Sequence, residues 1–275
     1  MAMNSVNTNI GAMVALQSLN RTTDQLDTTQ KRVSTGFRVA DAKDDGAAFA
    51  VAQRVRADVS GLTSAQEQLG GVKGIVDVTL AALTKVSKTM EDIKAVVVKL
   101  ADGNIDAATR TQYAAQYQSL QQSVVSFISD ATYNGNTLLT AASTTLTTVR
   151  NETGGNYSIG SILTAGITIT ATAPATVAAA STMLSGSAAT DFNGVMGAIN
   201  TALNTMGNHA KYVDRLREYN KDKIDALESG LGALVDADLA KESAKMQSLQ
   251  VRQQLGTQAL GMANQAPQAL LGLFR

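Results

Sequence analysis

A chain of 275 residues with 4% aromatics, no tryptophan and two prolines has the length for one or two domains but little material for a bulky globular core. Alanine, threonine, serine, glutamine, leucine and valine dominate instead, a composition suited to long helices that bury narrow seams. The formal net charge is zero and cysteine is absent, which disfavours a nucleic-acid or anionic-membrane surface and excludes disulfides, thiolate metal sites and thiol nucleophiles.

The first ten residues lack the basic segment and apolar run of a cleaved secretory signal, and no stretch of about 18 apolar residues predicts membrane insertion. Residues 1–20 carry no charged side chain, yet Ala12, Leu19, Leu26 and Val33 recur every seven positions and predict a helix. Asp41, Asp44 and Asp45 precede the next helix, where carboxylates serve as caps and complement the positive end of the helix dipole. The strongest signal follows: Val55, Leu62, Leu69, Val76, Leu83, Met90 and Val97 form an unbroken heptad column. At the 44% apolar background such a column fills by chance roughly once in three hundred trials. Its companion reads Asp58, Ala65, Val72, Thr79, Val86, Ile93 and Leu100, so the stretch predicts a helix on the order of 80 Å long with a coiled-coil-like stripe. Gly70, Gly71 and Gly74 fall inside it and read as points of close helix approach or bending, not as a phosphate-binding loop.

Asp102-Gly103-Asn104 breaks the helix. A calcium loop beginning there is rejected, because Ala107 replaces the required glycine and Tyr113 the final glutamate. A further helix is predicted from Tyr113, Tyr117, Leu120, Val124 and Phe127, ending at the turn Tyr133-Asn134-Gly135-Asn136. Residues 140–190 turn rich in Thr, Ser, Ala and Gly. Alternation in 157–159 and 166–170, with a turn at Gly154-Gly155-Asn156, predicts short strands in a surface hairpin. A second long helix carries the columns Phe192, Ile199, Met206, Val213, Asn220, Leu227, Leu234 and Met196, Leu203, Ala210, Arg217, Ile224, Leu231. His209, the sole histidine, lies between them with no identifiable nucleophile or second base, and reads as a surface or packing residue. Toward the end, Leu239, Met246 and Leu260 share one column, while Leu249, Ala263 and Leu270 share another that is broken at Gly256.

The fold class expected is mainly α: a long antiparallel helical bundle or coiled coil formed by both chain halves, with a small middle segment containing a β-hairpin. Residues 253–274, like residues 1–20, carry no charge. A coiled coil that stays monomeric flanks its seam with charges, so charge-free periodic ends imply faces buried by other copies of the chain. Two such helices alone barely meet their ordering entropy in water, and the ends are expected to order on assembly.

Several stretches resemble the bacterial flagellin family. They are Ser5-Val6-Asn7-Thr8-Asn9, Leu16 to Leu19, Val33-Ser34-Thr35-Gly36-Phe37-Arg38-Val39 and Asp41-Ala42-Lys43-Asp44-Asp45-Gly46-Ala47. Tyr133-Asn134-Gly135-Asn136-Thr137-Leu138-Leu139, Asp236-Ala237-Asp238-Leu239-Ala240-Lys241-Glu242, Ala263-Asn264-Gln265-Ala266-Pro267-Gln268 and the closing Leu270, Leu271, Leu273 and Arg275 complete the set. Phe37 stands where the family usually has leucine, an apolar exchange expected in a buried turn, and the middle segment is too short for large outer domains.

The resemblance implies a short-form, non-enzymatic filament subunit without cofactors, secreted to the extracellular flagellum. Its partners would be identical or closely related subunits, the flagellar export apparatus, a secretion chaperone, and the cap and hook-associated proteins. Residues 1–42 and 236–275 would form the terminal assembly domain, 43–140 and 191–235 the bundle, and 141–190 a variable surface segment. The implied assembly interface comprises Asn7, Asn9, Leu16, Leu19, Leu26, Val33, Gly36, Arg38, Asp44, Asp45, Leu239, Met246, Leu249, Leu260, Asn264, Gln265, Pro267, Leu270 and Leu271. The bundle core would comprise Val55, Leu62, Leu69, Val76, Leu83, Met90, Val97, Ile199, Leu203, Met206, Leu227 and Leu231. The competing readings are a hook-filament junction protein, and a type III-secreted helical effector, which would need an apolar membrane-inserting stretch.

Overall fold

The computed structural model describes residues 8–139, 145–162, 172–186 and 188–272, with side chains described through residue 265. Among the described residues, six helices and one pair of strands follow in chain order: α1 Ile10–Thr35, α2 Gly46–Leu100, α3 Ala107–Ser129, β1 Leu146–Val149, β2 Asn156–Ile159, α4 Val177–Ser185, α5 Phe192–Val235 and α6 Leu239–Gly272. The fold is mainly helical: α1 packs with α6, α2 packs with α5, and a small β-hairpin lies in the middle of the chain. Residues 58–225 make one compact unit, and residues up to 57 together with those from 226 onward make the other.

Local chemistry sets the helix ends. Asn9 accepts the Ala12 N–H at 3.0 Å and starts α1, while Gly36, at φ 76°, closes it with its N–H on the Arg32 carbonyl. Asp45 Oδ1 accepts the N–H groups of Ala47 and Ala48 to start α2. At the other end of α2 the Arg110 guanidinium donates to the carbonyls of Leu100 and Asp102, while Asp106 caps α3. The segment Asp102–Asp106 is thus a helix-to-helix turn held by an arginine.

In the unit of residues 58–225, α2 presents its predicted seam inward. Leu62, Leu69, Val76, Leu83, Met90 and Val97 are each at most 1% exposed, and so are Ala65, Thr79, Val86, Ile93 and Leu100 of the companion column. Thr79 is tolerated because its hydroxyl donates to the Ile75 carbonyl one turn back, at 2.7 Å. On α5, Ile199, Met206 and Val213 are fully buried, and the companion line runs through Val195 and Ala202. Met196, Leu203 and Ala210 flank it, partly buried, one position around the helix. On α3, Tyr117 and Val124 are buried, whereas Phe127 is 37% exposed and Ile128 takes the next packed place. The 3.6-residue turn drifts off a strict seven-residue repeat by that one position.

The turn at 133–136 forms as a two-residue hairpin. Asn134 and Gly135 both have positive φ, and Tyr133 and Asn136 exchange both backbone hydrogen bonds. Gly74 is needed opposite it, because a Cβ there would lie 2.8 Å from the Tyr133 ring. Gly70 and Gly71 face open space and serve no such approach.

The predicted strand at 157–159 is β2, and its antiparallel partner is β1, which alternation alone had not marked. The expected strand at 166–170 lies outside the described residues. The hairpin is only partly a surface feature. Ile159 is 1% exposed and joins the α2/α5 core, and Tyr157 packs beside it. α4 was not expected at all; its Ala180 is fully buried against the core that includes Met90, Ile93 and Val195. Asn220, which interrupts the α5 column, is 1% exposed and donates to the Arg150 carbonyl in the hairpin turn at 2.9 Å. Its neighbour one turn on, Lys223, pairs with Glu152 of the same turn at 2.5 Å. The hairpin tip, not a seam leucine, fills that level of the unit.

Val55, Leu227 and Leu231, expected in the bundle core, are half-buried and belong to the other unit, where Leu231 packs on Val39, Ala52 and Val235. Leu83→Ala should lower the unfolding free energy by about 2–5 kcal/mol in urea denaturation followed by helical circular dichroism. Leu83→Asp, which buries an unpaired carboxylate, should abolish the cooperative transition of this unit.

Candidate self-assembly surface

In α1 the positions turned toward α6 are Ala12, Ala15, Leu19, Thr22, Leu26, Thr29 and Val33, separated alternately by three and four residues. In α6 they are Glu242, Met246, Leu249, Gln253, Gly256, Leu260 and Ala263, with the same alternation. Asn9 donates to the Ala263 carbonyl at 2.7 Å, Gln253 approaches the Thr23 hydroxyl at 3.5 Å, and Arg32 donates to Glu242 at 3.2 Å. The numbers rise on one helix as they fall on the other, so the pair is an antiparallel coiled coil.

This pair buries little. Only Thr29 of α1 and Leu249 of the described part of α6 are buried. Ile10, Met13, Val14 and Leu16 on α1 are 54%, 63%, 61% and 47% exposed, and Val251, Leu255 and Met262 on α6 are 56%, 58% and 67% exposed. Each helix therefore carries a second apolar face outside the seam, on segments almost without charge. A helix apolar on more than one face is one that is buried in its working state.

Of the residues expected at the interface, Leu19, Leu26, Val33, Met246, Leu249 and Leu260 lie in the seam within the chain, and Leu16 and Leu239 lie outside it, exposed. Asn264 and Gln265 are exposed, and Asn9 caps α1. Asn7 and the side chains of Pro267, Leu270 and Leu271 lie outside the described residues. Arg32 flanks the seam; the seam positions that apolar periodicity missed are Thr22, Thr29, Gln253, Gly256 and Glu242. Their signal was positional: each continues a heptad column with a residue that hydrophobicity does not score. Gly256 is not a break. A Cβ there would lie 3.2 Å from Leu19 Cδ1, so the glycine is the seat that receives Leu19.

Gly36, Arg38, Asp44 and Asp45 gather where α1 turns into α2. Phe37 and Asp236 form an antiparallel bridge, Arg38 N–H donates to the Val235 carbonyl at 2.7 Å, and Ala237 N–H donates to the Gly36 carbonyl at 2.9 Å. The Arg38 guanidinium donates to the Leu234 carbonyl. Beneath these, Val39, Ala52 and Val235 form a small core with Phe49 and Leu234. Phe37 is not in a buried turn; it is 37% exposed, with the Arg56 guanidinium 5.6 Å from its ring centre. Asp44 accepts the Ala40 N–H at 3.1 Å and the Lys31 ammonium at 3.3 Å, and Lys31 also pairs with Asp41 at 2.6 Å.

The backbone N–H of Ala40, aided by Lys31, holds the Asp44 carboxyl below its ordinary value, and Lys31 does the same to Asp41. A depressed carboxyl stabilises the fold above its unfolded pKa and loses that contribution as pH falls through its folded one. Thermal unfolding across a pH series should therefore show Asp44→Asn below the parent near neutrality, with the gap closing once Asp44 of the parent is protonated.

No three His, Asp or Glu side chains gather as a metal site among the described residues, and no described helix is long and apolar enough to cross a membrane. His209 Nδ1 and the Tyr157 hydroxyl share a hydrogen bond of 2.5 Å, and burial lowers the histidine's pKa, so it serves as a packing residue that ties β2 to α5.

The family model described as the bacterial flagellin N-terminal helical region matches residues 6–144, and that of the bacterial flagellin C-terminal helical region matches residues 194–274. Flagellin FljK of Caulobacter vibrioides is 36% identical over 283 aligned residues that cover 100% of each chain. Flagellin FljM of the same organism is 35% identical over 100% of each chain, and the flagellin of Brucella melitensis is 32% identical over 99% of this chain and 100% of its own. The helical regions matched at both ends are those that supply the α1/α6 pair and most of the long helices. The chain belongs to the bacterial flagellin family of structural, non-enzymatic proteins.

Proposed function

We propose that this chain is the subunit of an extracellular flagellar filament, polymerising through its terminal helices as a helical propeller for swimming. The observation that carries the reading is the second apolar face on α1 and α6, exposed on segments nearly free of charge. A large apolar side chain passing from half-exposed to buried contributes about 1 kcal/mol. Ile10, Met13, Val14, Leu16, Val251, Leu255 and Met262 would supply on the order of 5–10 kcal/mol per subunit. That is comparable with the roughly 4–15 kcal/mol that association costs.

In this reading residues 1–42 and 236–275 are the assembly domain, 43–140 and 191–235 the bundle, and 141–190 the variable segment. The export apparatus, a secretion chaperone, the cap and hook-associated proteins are the transient partners of a subunit that leaves the cell unfolded and orders at the growing tip. End-to-end alignment with relatives that are themselves called flagellins supports the filament subunit over the junction protein.

Purified subunits should polymerise when seeded with filament fragments in high salt, as seen by electron microscopy. Removing residues 253–275 should leave the unit of residues 58–225 folded by circular dichroism and abolish polymerisation. Val14→Lys and Leu255→Lys, on exposed positions, should each leave thermal stability nearly unchanged while raising the critical concentration for assembly at least tenfold. Normal filaments from the truncated chain would refute the assignment of the ends.

A further inference from the structure

We propose that the Arg32–Glu242 ion pair sets the register of the terminal coiled coil, and so decides which apolar side chains of α1 and α6 stand side by side on the outer face. The inference rests on reading that face as the assembly surface, and it names the residues that give the surface its specificity.

The apolar seam discriminates weakly between registers. Leu19 faces Gly256; sliding α6 by one heptad would bring it against Leu249 or Ala263, both acceptable neighbours. Of the three polar contacts across the described seam, Asn9 reaches only a backbone carbonyl, which every residue offers, and the Gln253–Thr23 contact is at 3.5 Å. The third alone pairs opposite charges.

That pair is poorly built for stability. Arg32 is 26% and Glu242 13% exposed in their side chains, one contact of 3.2 Å joins them, and Arg32 Nε and Glu242 Oε2 are buried without partners. Withdrawing two charges from water for a single contact gains little. What such a pair supplies is discrimination. Displaced by one heptad, Arg32 lies against Leu249 in one direction and beyond the start of α6 in the other, and each charge loses its counterion. The placement is also matched to the helix ends: Arg32 is the basic residue in the last turn of α1 and Glu242 the acidic residue in the first turn of α6. Each sits at the end of the helix dipole that favours its sign, a match that only the native register brings together.

The absence of cysteine makes the register directly readable. In the native register the Leu19 Cβ lies 3.9 Å from a Cβ built on Gly256, within disulfide range. Leu19→Cys with Gly256→Cys therefore reports that register in the full chain. Leu19→Cys with Leu249→Cys, or with Ala263→Cys, reports a slip of one heptad in either direction, since those pairs are about 10 Å apart without one. Oxidation under polymerising salt, read as the intramolecular gel shift after dissociation, should favour the native pair at least tenfold in the parent.

R32E should lose that preference together with polymerisation, and R32E/E242R should recover both. R32M/E242M, which keeps an apolar helix pair, should cross-link in mixed registers and form few or irregular filaments. Native-only cross-linking in R32M/E242M would overturn the proposal, because the apolar seam and the backbone joint between residues 36–39 and 235–237 would then hold the register. Should cross-linking follow the expected pattern while the parent fails to polymerise, the register assignment would stand and the assembly reading would fall.

Discussion

Two helices packed side by side can each bury one stripe, and the terminal helices of this chain have apolar side chains on more than one. This imbalance governs the rest. The α1/α6 seam takes Leu19, Leu26, Val33, Met246, Leu249 and Leu260, which leaves Met13, Val14, Leu255 and Met262 in water with almost no charge nearby. A bundle helix such as α2 meets the same demand differently, with neighbours on both flanks and charged residues such as Lys85, Lys88, Glu91 and Asp92 between its seam positions. Identical chains are the partners that family membership makes natural.

The seam also shows why small and polar residues recur at the ends. Threonine and alanine at Ala12, Ala15, Thr22 and Thr29 keep the two helices close, and Gly256 receives the Leu19 side chain. Close approach at low hydrophobicity leaves the outer faces as the main reserve of apolar surface. The short turns 36–39 and 235–238, zipped by backbone hydrogen bonds over Val39 and Val235, join the end of α1 to the start of α6. Precise placement there requires the left-handed Gly36, a conformation in which a side chain would be strained.

Much of the fold was legible in the residues because seam periodicity is a strong, redundant signal. The α2 column from Leu62 to Val97 and the α5 column follow from it directly, and the Asn134-Gly135 turn follows from the two residue types that tolerate positive φ. What escaped did so for physical reasons. β1 is four residues long and recognisable only through its pairing with β2; α4 is a nine-residue helix whose burial depends on Ala180 meeting a core formed elsewhere. Asn220 looked like a flaw in a column, and its meaning emerged only with the Arg150 carbonyl from the hairpin turn. At the candidate surface, apolar periodicity found the leucines but read Gly256 as a break, and it carried no signal for the Arg32–Glu242 contact.

The most direct test of the central claim is a side-chain-resolution reconstruction of the polymer formed by this chain. The account predicts that Ile10, Met13, Val14, Val251, Leu255 and Met262 are buried between subunits, each losing most of the exposure it has in the single chain. A polymer in which those side chains remain in solvent, with subunits joined only through residues 58–225, would contradict it.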